Sequence, residues 1–246
     1  DAAGCETRGM TQLTLKVDGL ANVRDLGGLT RIDGSLTPHG VFIRAEALDR
    51  VTDAGWRELH RLGVATVIDL RRPEERNDRV PSGVDLIAVD LDGDAPEFWQ
   101  QYEADGRWGT PLYYLPHLAE VPQFMADVVE AIASARDGAV LFHCGAGWDR
   151  TGFVAALLLR ALGVEPSDAT RDYLASFENA QAMEELHAKS SDVVERLGVL
   201  ARFEHTPESA FVQAYNGIDL EGWFDHAGID QRTRSAIATW RGAVRS

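Results

Sequence analysis

Val140-Leu-Phe-His-Cys-Gly-Ala-Gly-Trp-Asp-Arg-Thr-Gly152 is the stretch on which the reading of this chain turns. Together with Ala139 its opening is a continuous apolar run, which predicts a buried parallel strand ending near His143. Small residues follow as a compact turn. Beyond it Val154, Leu157 and Leu158 recur at helical spacing as far as Gly163, so a helix starts near Arg150. A strand, a tight turn and a helix start in that order can aim successive backbone N–H groups at one point, and the helix N-terminus adds about half a positive charge there. The turn therefore reads as a cradle for an anion. Gly145 and Gly147 let the backbone curl around a tetrahedral group, Ala146 is small enough to follow, and Arg150 offers a planar fork for two of its oxygens.

Cys144 opens this cradle. A free thiol is mostly protonated at neutral pH, whereas a helix N-terminus beside a guanidinium favours thiolate, the attacking form. Cys144 is thus the candidate nucleophile, directly below the anion it would attack. A lone cysteine is more often a buried structural thiol. The glycine turn and the placing of Arg150 shift the balance to catalysis. His143 can brace the turn, and Thr151 can hydrogen-bond the sulfur when it leaves.

Outward from that segment, strands alternate with helices. Val41–Arg44, Val64–Leu70 and Leu86–Leu91 read as strands. Thr52 can cap a helix reaching about Leu62, and Pro122 suits the first turn of one reaching about Ala135. From Asp92 to Leu115 the pattern is loop-rich and carries Trp99, Trp108, Tyr113 and Tyr114, which can wall a site or form a second core. Further helices start near Pro166, Pro207 and Asp230. The expected class is α/β, a mainly parallel central sheet flanked by helices with a helical C-terminal part. Residues 1–9 read as a disordered or appended tail ahead of one domain spanning 10–246. Asn22–Gly28, with its paired glycines, reads as a structural turn in which Arg24 and Asp25 pair.

Composition narrows the partners. Lys and Arg total 24 against 39 Asp and Glu, a net charge of −15. Such a field repels nucleic acid and acidic lipid, so neither nucleic-acid binding nor stable membrane association is expected, and any anion site is positive only locally. No apolar run is long enough to span a bilayer, and the start lacks the pattern of a secretory signal. With only Cys5 and Cys144, a disulfide framework is not expected, and a reducing, cytoplasmic setting is. His39, His60, His117 and His187 lack the spacing of metal ligands.

On these residues the chain resembles the tyrosine-phosphatase superfamily, whose signature His-Cys-x5-Arg-Ser/Thr is matched at His143, Cys144, Arg150 and Thr151. It is most similar to the bacterial branch of atypical tyrosine and lipid phosphatases. That branch shares an Asn-x-Arg-Asp-Leu-Gly-Gly turn, here Asn22 to Gly28, and an Ala-Gly-x-Asp-Arg-Thr-Gly loop, here Ala146 to Gly152. The similarity continues through Ile68-Asp-Leu-Arg71 and Asp172-Tyr-Leu174 and so covers most of the chain after Met10. It implies a tyrosine-phosphatase-like fold and hydrolysis of phosphate monoesters through a cysteinyl-phosphate, with no metal or other cofactor and a phosphorylated protein or small molecule as partner. It suggests Asp149 as general acid, while other branches keep theirs on a loop after a strand, where Asp90, Asp92 and Asp94 stand here. One position departs. Relatives that handle phosphoinositides place Lys where this chain has Trp148, and a flat ring on the rim of the cradle favours phosphotyrosine or a small aromatic phosphate over polyphosphorylated inositides. A phosphoinositide or nucleotide phosphatase, a sulfur transferase, and a phosphate-binding module without turnover are the alternatives; an aryl phosphate assay separates the last from an enzyme.

Overall fold

The computed structural model describes residues 15–77 and 80–244. The expected tail at residues 1–9 lies outside them. Five strands form one sheet: β1 (Arg24–Asp25), β2 (Phe42–Ala45), β3 (Val64–Asp69), β4 (Asp85–Ala88) and β5 (Ala139–His143). Their order is β1-β2-β5-β3-β4. Every pairing is parallel except β1 with β2, which is antiparallel. The strand that leads into the cradle is therefore central, flanked by β2 and β3.

Eleven α-helices surround the sheet among the described residues: α1 (Asp53–Arg61), α2 (Pro96–Ala104), α3 (Tyr114–Glu120), α4 (Pro122–Ser134), α5 (Asp149–Ala161), α6 (Pro166–Glu178), α7 (Ala180–His187), α8 (Val193–Arg202), α9 (Pro207–Gly217), α10 (Leu220–His226) and α11 (Gln231–Ala238). Alternation along the strands explains the two layers. Val140 and Phe142 of β5 face a large core built with α4, α5 and the C-terminal helices, while Ala139 and Leu141 face a smaller one shared with Leu59 of α1. Trp240 closes the large core, its Nε1 donating to the Leu158 carbonyl at 3.0 Å and its ring meeting Phe42 edge-on at 5.0 Å.

The α/β class and the mainly parallel sheet agree with the expectation, as do the capped start of α1 at Thr52 and the Pro starts of α4, α6 and α9. The stretch 92–115 does not. Pro96 at the first turn starts α2, a 3-10 turn covers Pro111–Tyr113, and α3 follows at once. Its aromatic side chains other than Trp108 pack as one cluster: Trp99 lies edge-on to Tyr113 at 5.2 Å, and Tyr114 stacks on Phe153 at 4.4 Å. His117 sits within the same cluster, where burial holds its imidazole down at about 4. It is a neutral core histidine donating to the Leu91 carbonyl at 3.0 Å. β4 ends at Ala88, short of the expected Leu91; α7 and α8 start without a side-chain cap, whereas α10, not among the expected helices, is capped at Asp219, whose side chain accepts the Gly222 N–H. No helix among the described residues is long and apolar enough to cross a membrane.

Candidate active site

β5 ends at His143 and α5 begins at Asp149, leaving Cys144 to Trp148 as the loop between them. Its carbonyls are tied down on the outer side. The Gly145 carbonyl accepts from the Ala47 N–H at 2.9 Å, and the Ala146 carbonyl from Asn22 Nδ2 at 3.0 Å. The Gly147 carbonyl accepts from Arg44 Nη2 at 3.0 Å and Asn22 Nδ2 at 3.3 Å, and the Trp148 carbonyl from the Gly152 N–H at 2.9 Å. A trans peptide points its N–H opposite to its C=O. The N–H groups of Ala146, Gly147, Trp148 and Asp149 therefore turn toward the inside of the loop, as an anion cradle requires. Gly147 is the residue that must be glycine. Its φ is +62°, and a Cβ there would lie 2.4 Å from Ala45 and Glu46 backbone atoms. Gly145 has no such constraint, since its nearest neighbour would be Glu75 Oε1 at 3.9 Å.

The brace under the loop is the Asn22–Gly28 turn, though not through the pair expected of it. Arg24 Nε donates to Asp172 Oδ1 at 2.9 Å, and Asp25 instead faces His39 Nδ1 at 3.1 Å. Arg44 of β2 takes the other Asp172 oxygen, and Arg24 also donates to Asn22 Oδ1, which orients that amide toward the loop. All of Asn22, Arg24, Arg44 and Asp172 are buried. Burial opposes the Asp172 charge, yet Arg44 and Arg24 together hold its carboxyl below the usual carboxylate range. Burial and Arg44 bring Arg24 down to about 10, which leaves it charged at neutral pH. Glu46, also buried, accepts the Asn22 N–H at 3.0 Å and closes the network.

Cys144 is 3% exposed at the base of the loop, and Arg150 follows on the first turn of α5. The Arg150 fork is engaged by Glu75: Nη1 donates to Oε2 at 2.6 Å and Nη2 to Oε1 at 2.8 Å. A carboxylate thus sits on the two donors that a phosphate would take. Glu75 comes from the turn after β3, and its carboxyl is held low by Arg150 against the opposing effect of burial. Arg150 also reaches Asp92 Oδ2 at 3.3 Å, and Arg72 donates to the same oxygen at 2.8 Å. Both guanidiniums lie near the partly exposed ring of Trp108, at 5.7 Å and 5.6 Å from its centroid.

The two candidate acids are both buried and differ in their company. Asp92 is raised by burial but pinned by Arg150 and Arg72. Asp149 meets phenols: Tyr113 donates to its Oδ2 at 2.7 Å, and the Tyr114 hydroxyl lies 2.9 Å from its main-chain oxygen. Burial pushes the Asp149 carboxyl up to about 6, against the Tyr113 hydrogen bond and the charges of Arg196 and Arg150. Asp90 accepts the Asp92 and Gly93 N–H groups and shapes the loop, while Asp94 lines a cavity of about 690 Å³ beside Arg72. Among the described residues no three His, Cys, Asp or Glu gather as a metal site.

One expectation about the loop needs correction. Trp148 is not on the rim: its side chain is fully buried, edge-on to Phe177 at 4.4 Å, with the Arg196 guanidinium 4.9 Å from its ring. Its backbone faces the cradle while the ring roots the loop between α6 and α8. Thr151 is buried on the first turn of α5, directly after Arg150. Glu75, Trp108 and Tyr113 complete the site and were not singled out as site residues in the sequence. Their only signal was that Trp108 and Tyr113 lie in the aromatic-rich stretch.

The environment of Asp149 sets a stability test. Raising its folded-state value from 3.8 to about 6 makes ionisation cost the folded state about 3 kcal/mol. That cost is absent below pH ~4, grows as pH rises to ~6, and is constant above. Asp149→Asn is therefore expected to unfold at higher urea than the parent at pH 7.5, with the gap closing at pH 4. Equal midpoints at both pH values would show that the carboxyl is not strained by burial.

The profile of the tyrosine phosphatase family matches residues 15–240. The triple specificity protein phosphatase PtpB of Mycobacterium tuberculosis is 29% identical over 273 residues, covering 89% of this chain and 95% of its own length. A relative from Cupriavidus necator is 30% identical over 240 residues, covering 91% of this chain and 84% of its own. A tyrosine-protein phosphatase of Nostoc commune is 36% identical over 151 residues, 56% of this chain and 49% of its own. With a match that spans the sheet, the cradle and the C-terminal helices alike, the chain belongs to the tyrosine phosphatase family of cysteine-based phosphatases.

Proposed function

We propose that the protein hydrolyses aryl phosphate monoesters, phosphotyrosine among them, with Cys144 as nucleophile, Arg150 as phosphate clamp and Asp149 as general acid. The observation that carries this reading is the loop whose carbonyls are anchored outward, with Cys144 at its base and the Arg150 fork at its end. The entering phosphate displaces the Glu75 carboxylate from that fork and occupies the inward N–H groups. The Cys144 thiolate attacks phosphorus; the S–P bond forms as the P–O ester bond breaks, and the leaving oxygen takes the proton of Asp149. Water then attacks the cysteinyl-phosphate, giving its proton to the Asp149 carboxylate. The S–P bond breaks and inorganic phosphate leaves.

Asp149 suits the acid role better than Asp92. A carboxyl near 6 with neutral phenol partners retains a usable share of its acid form near neutral pH, whereas Asp92, although burial raises it too, has one oxygen already taken by two guanidiniums. Trp108 replaces Trp148 as the support for an aromatic substrate, since its partly exposed ring stands beside Arg150. The chemistry needs a free thiol, which a reducing cytoplasm maintains. A phosphorylated protein or small molecule is the partner, and the net charge of −15 speaks against nucleic acid.

Cys144→Ser is expected to abolish turnover of 4-nitrophenyl phosphate while still binding inorganic phosphate or the substrate; a phosphoenzyme mapped to any other residue would remove the mechanism. Arg150→Lys keeps the charge and loses the bidentate fork, so kcat/KM is expected to fall at least 100-fold, about 3 kcal/mol. Trp108→Ala is expected to lower kcat/KM for phosphotyrosine by about 2- to 10-fold, a ring contact of about 0.5–1.5 kcal/mol, and to leave alkyl phosphates unchanged. Parallel losses on both substrate classes, or better turnover of inositides, would remove the aromatic preference.

A further inference from the structure

We propose that Tyr113 is a positioning residue that places the acid proton of Asp149 on a single carboxyl oxygen. This rests on the assignment of Asp149 as general acid. The Tyr113 hydroxyl is 2.7 Å from Asp149 Oδ2, a donor close enough to occupy that oxygen in either protonation state. The Tyr114 hydroxyl lies 2.9 Å from the Asp149 main-chain oxygen and 3.3 Å from Oδ1. A hydroxyl has one proton, and the shorter contact takes it to the main chain. Oδ2 is thus filled by a donor and Oδ1 is left to carry the proton. Burial holds both phenols well above 10, so neither ionises in the working range and Tyr113 remains a donor throughout.

The phenol has little freedom to leave. Tyr113 ends the 3-10 turn Pro111–Tyr113, which is capped by the Thr110 hydroxyl accepting the Leu112 N–H. Its ring is fully buried, edge-on to Trp99 at 5.2 Å and to Phe153 at 5.9 Å. The other ionisable groups acting on Asp149 come from different elements: Arg196 of α8, Arg150 of its own helix, Asp92 of the loop after β4, and Tyr173 of α6. None of these four is hydrogen-bonded to Asp149 among the described residues, whereas the phenols of Tyr113 and Tyr114 are. A donor to a carboxylate favours its ionised form, so removing Tyr113 raises the value at which Asp149 loses its proton.

The test is the pH profile of kcat for two aryl phosphates, one with a poor leaving group (phosphotyrosine) and one with a good one (4-nitrophenyl phosphate). In Tyr113→Phe the basic limb is expected to move up by about one pH unit, roughly the weight of one hydrogen bond. At the plateau, phosphotyrosine turnover is expected to fall about tenfold, because the proton is no longer confined to Oδ1, while the nitrophenyl ester changes less than threefold. Tyr114→Phe is expected to leave the limb in place. An unmoved limb in Tyr113→Phe, an equal shift in Tyr114→Phe, or equal losses on both esters overturns the proposal. Asp149→Asn separates the two levels. If the basic limb persists in that variant, the acid assignment falls and the proposal with it. If it vanishes while Tyr113→Phe keeps the parent limb, only the role of Tyr113 falls. Thermal melts of each variant establish that the fold is kept.

Discussion

Asp172, out of reach of water on α6, lies between the guanidiniums of Arg24 and Arg44, and the shape of the phosphate loop follows from that pairing. Arg44 could not otherwise remain buried at the heart of β2 and extend to the carbonyls of Gly147 and Trp148. A buried guanidinium deprived of its anion typically costs about 3–5 kcal/mol, so the network survives only complete. Once complete, it joins α6, β1, β2 and the loop into one body. The inward N–H groups are then set before substrate arrives, and nothing has to reorganise when charge develops on phosphorus. Glu46, accepting the N–H groups of Ala21 and Asn22, fastens the same body at its other end.

Two carboxylates on either side of Arg150 show how environment divides labour between identical groups. Asp92 shares one oxygen between Arg150 and Arg72 and acts as a fixed countercharge. Asp149 has only neutral hydroxyls at hydrogen-bond distance and lies in a dry aromatic wall. Burial raises both carboxyls; ion pairing works against it at the first, while the second is pushed up to about 6 and holds a proton near neutral pH. Glu75 adds a third behaviour. It is half-exposed, sits on the turn after β3, and imitates the geometry of phosphate on the Arg150 fork. An entering phosphate thus exchanges one anion on the Arg150 fork for another.

What was legible in the sequence was what local chemistry determines. The run Ala139–His143, the glycine turn and the helix after it follow from adjacent residues, and β5, the loop and the start of α5 match them within a residue. The sheet order and the partners of Arg24 were beyond that reach, because Asp172 lies far along the chain and nothing local selects it over the neighbouring Asp25. The stretch 92–115 was misjudged for a related reason. Its helices are short, and their aromatic side chains point into a shared cluster with Phe153 and His117 instead of showing one clean stripe. Glu75, Trp108 and Tyr113 enter the site through tertiary packing alone. Trp148 shows the limit most sharply: residue order places it in the loop, but not on which side its ring falls.

The burial of Trp148 bears on how such a loop can change through evolution. The resemblance to phosphoinositide-handling phosphatases puts a lysine at that position, and on that basis a single exchange looks like an easy route between substrate preferences. Here the ring is a structural wedge against Phe177, with Arg196 already over its face. A lysine placed in the same direction would bring a second cation beside Arg196 and leave a hollow next to Phe177. A working lysine at this position would therefore call for compensating changes at Phe177 and Arg196 as well. In this chain the identity of residue 148 is thus set by packing and not by the substrate.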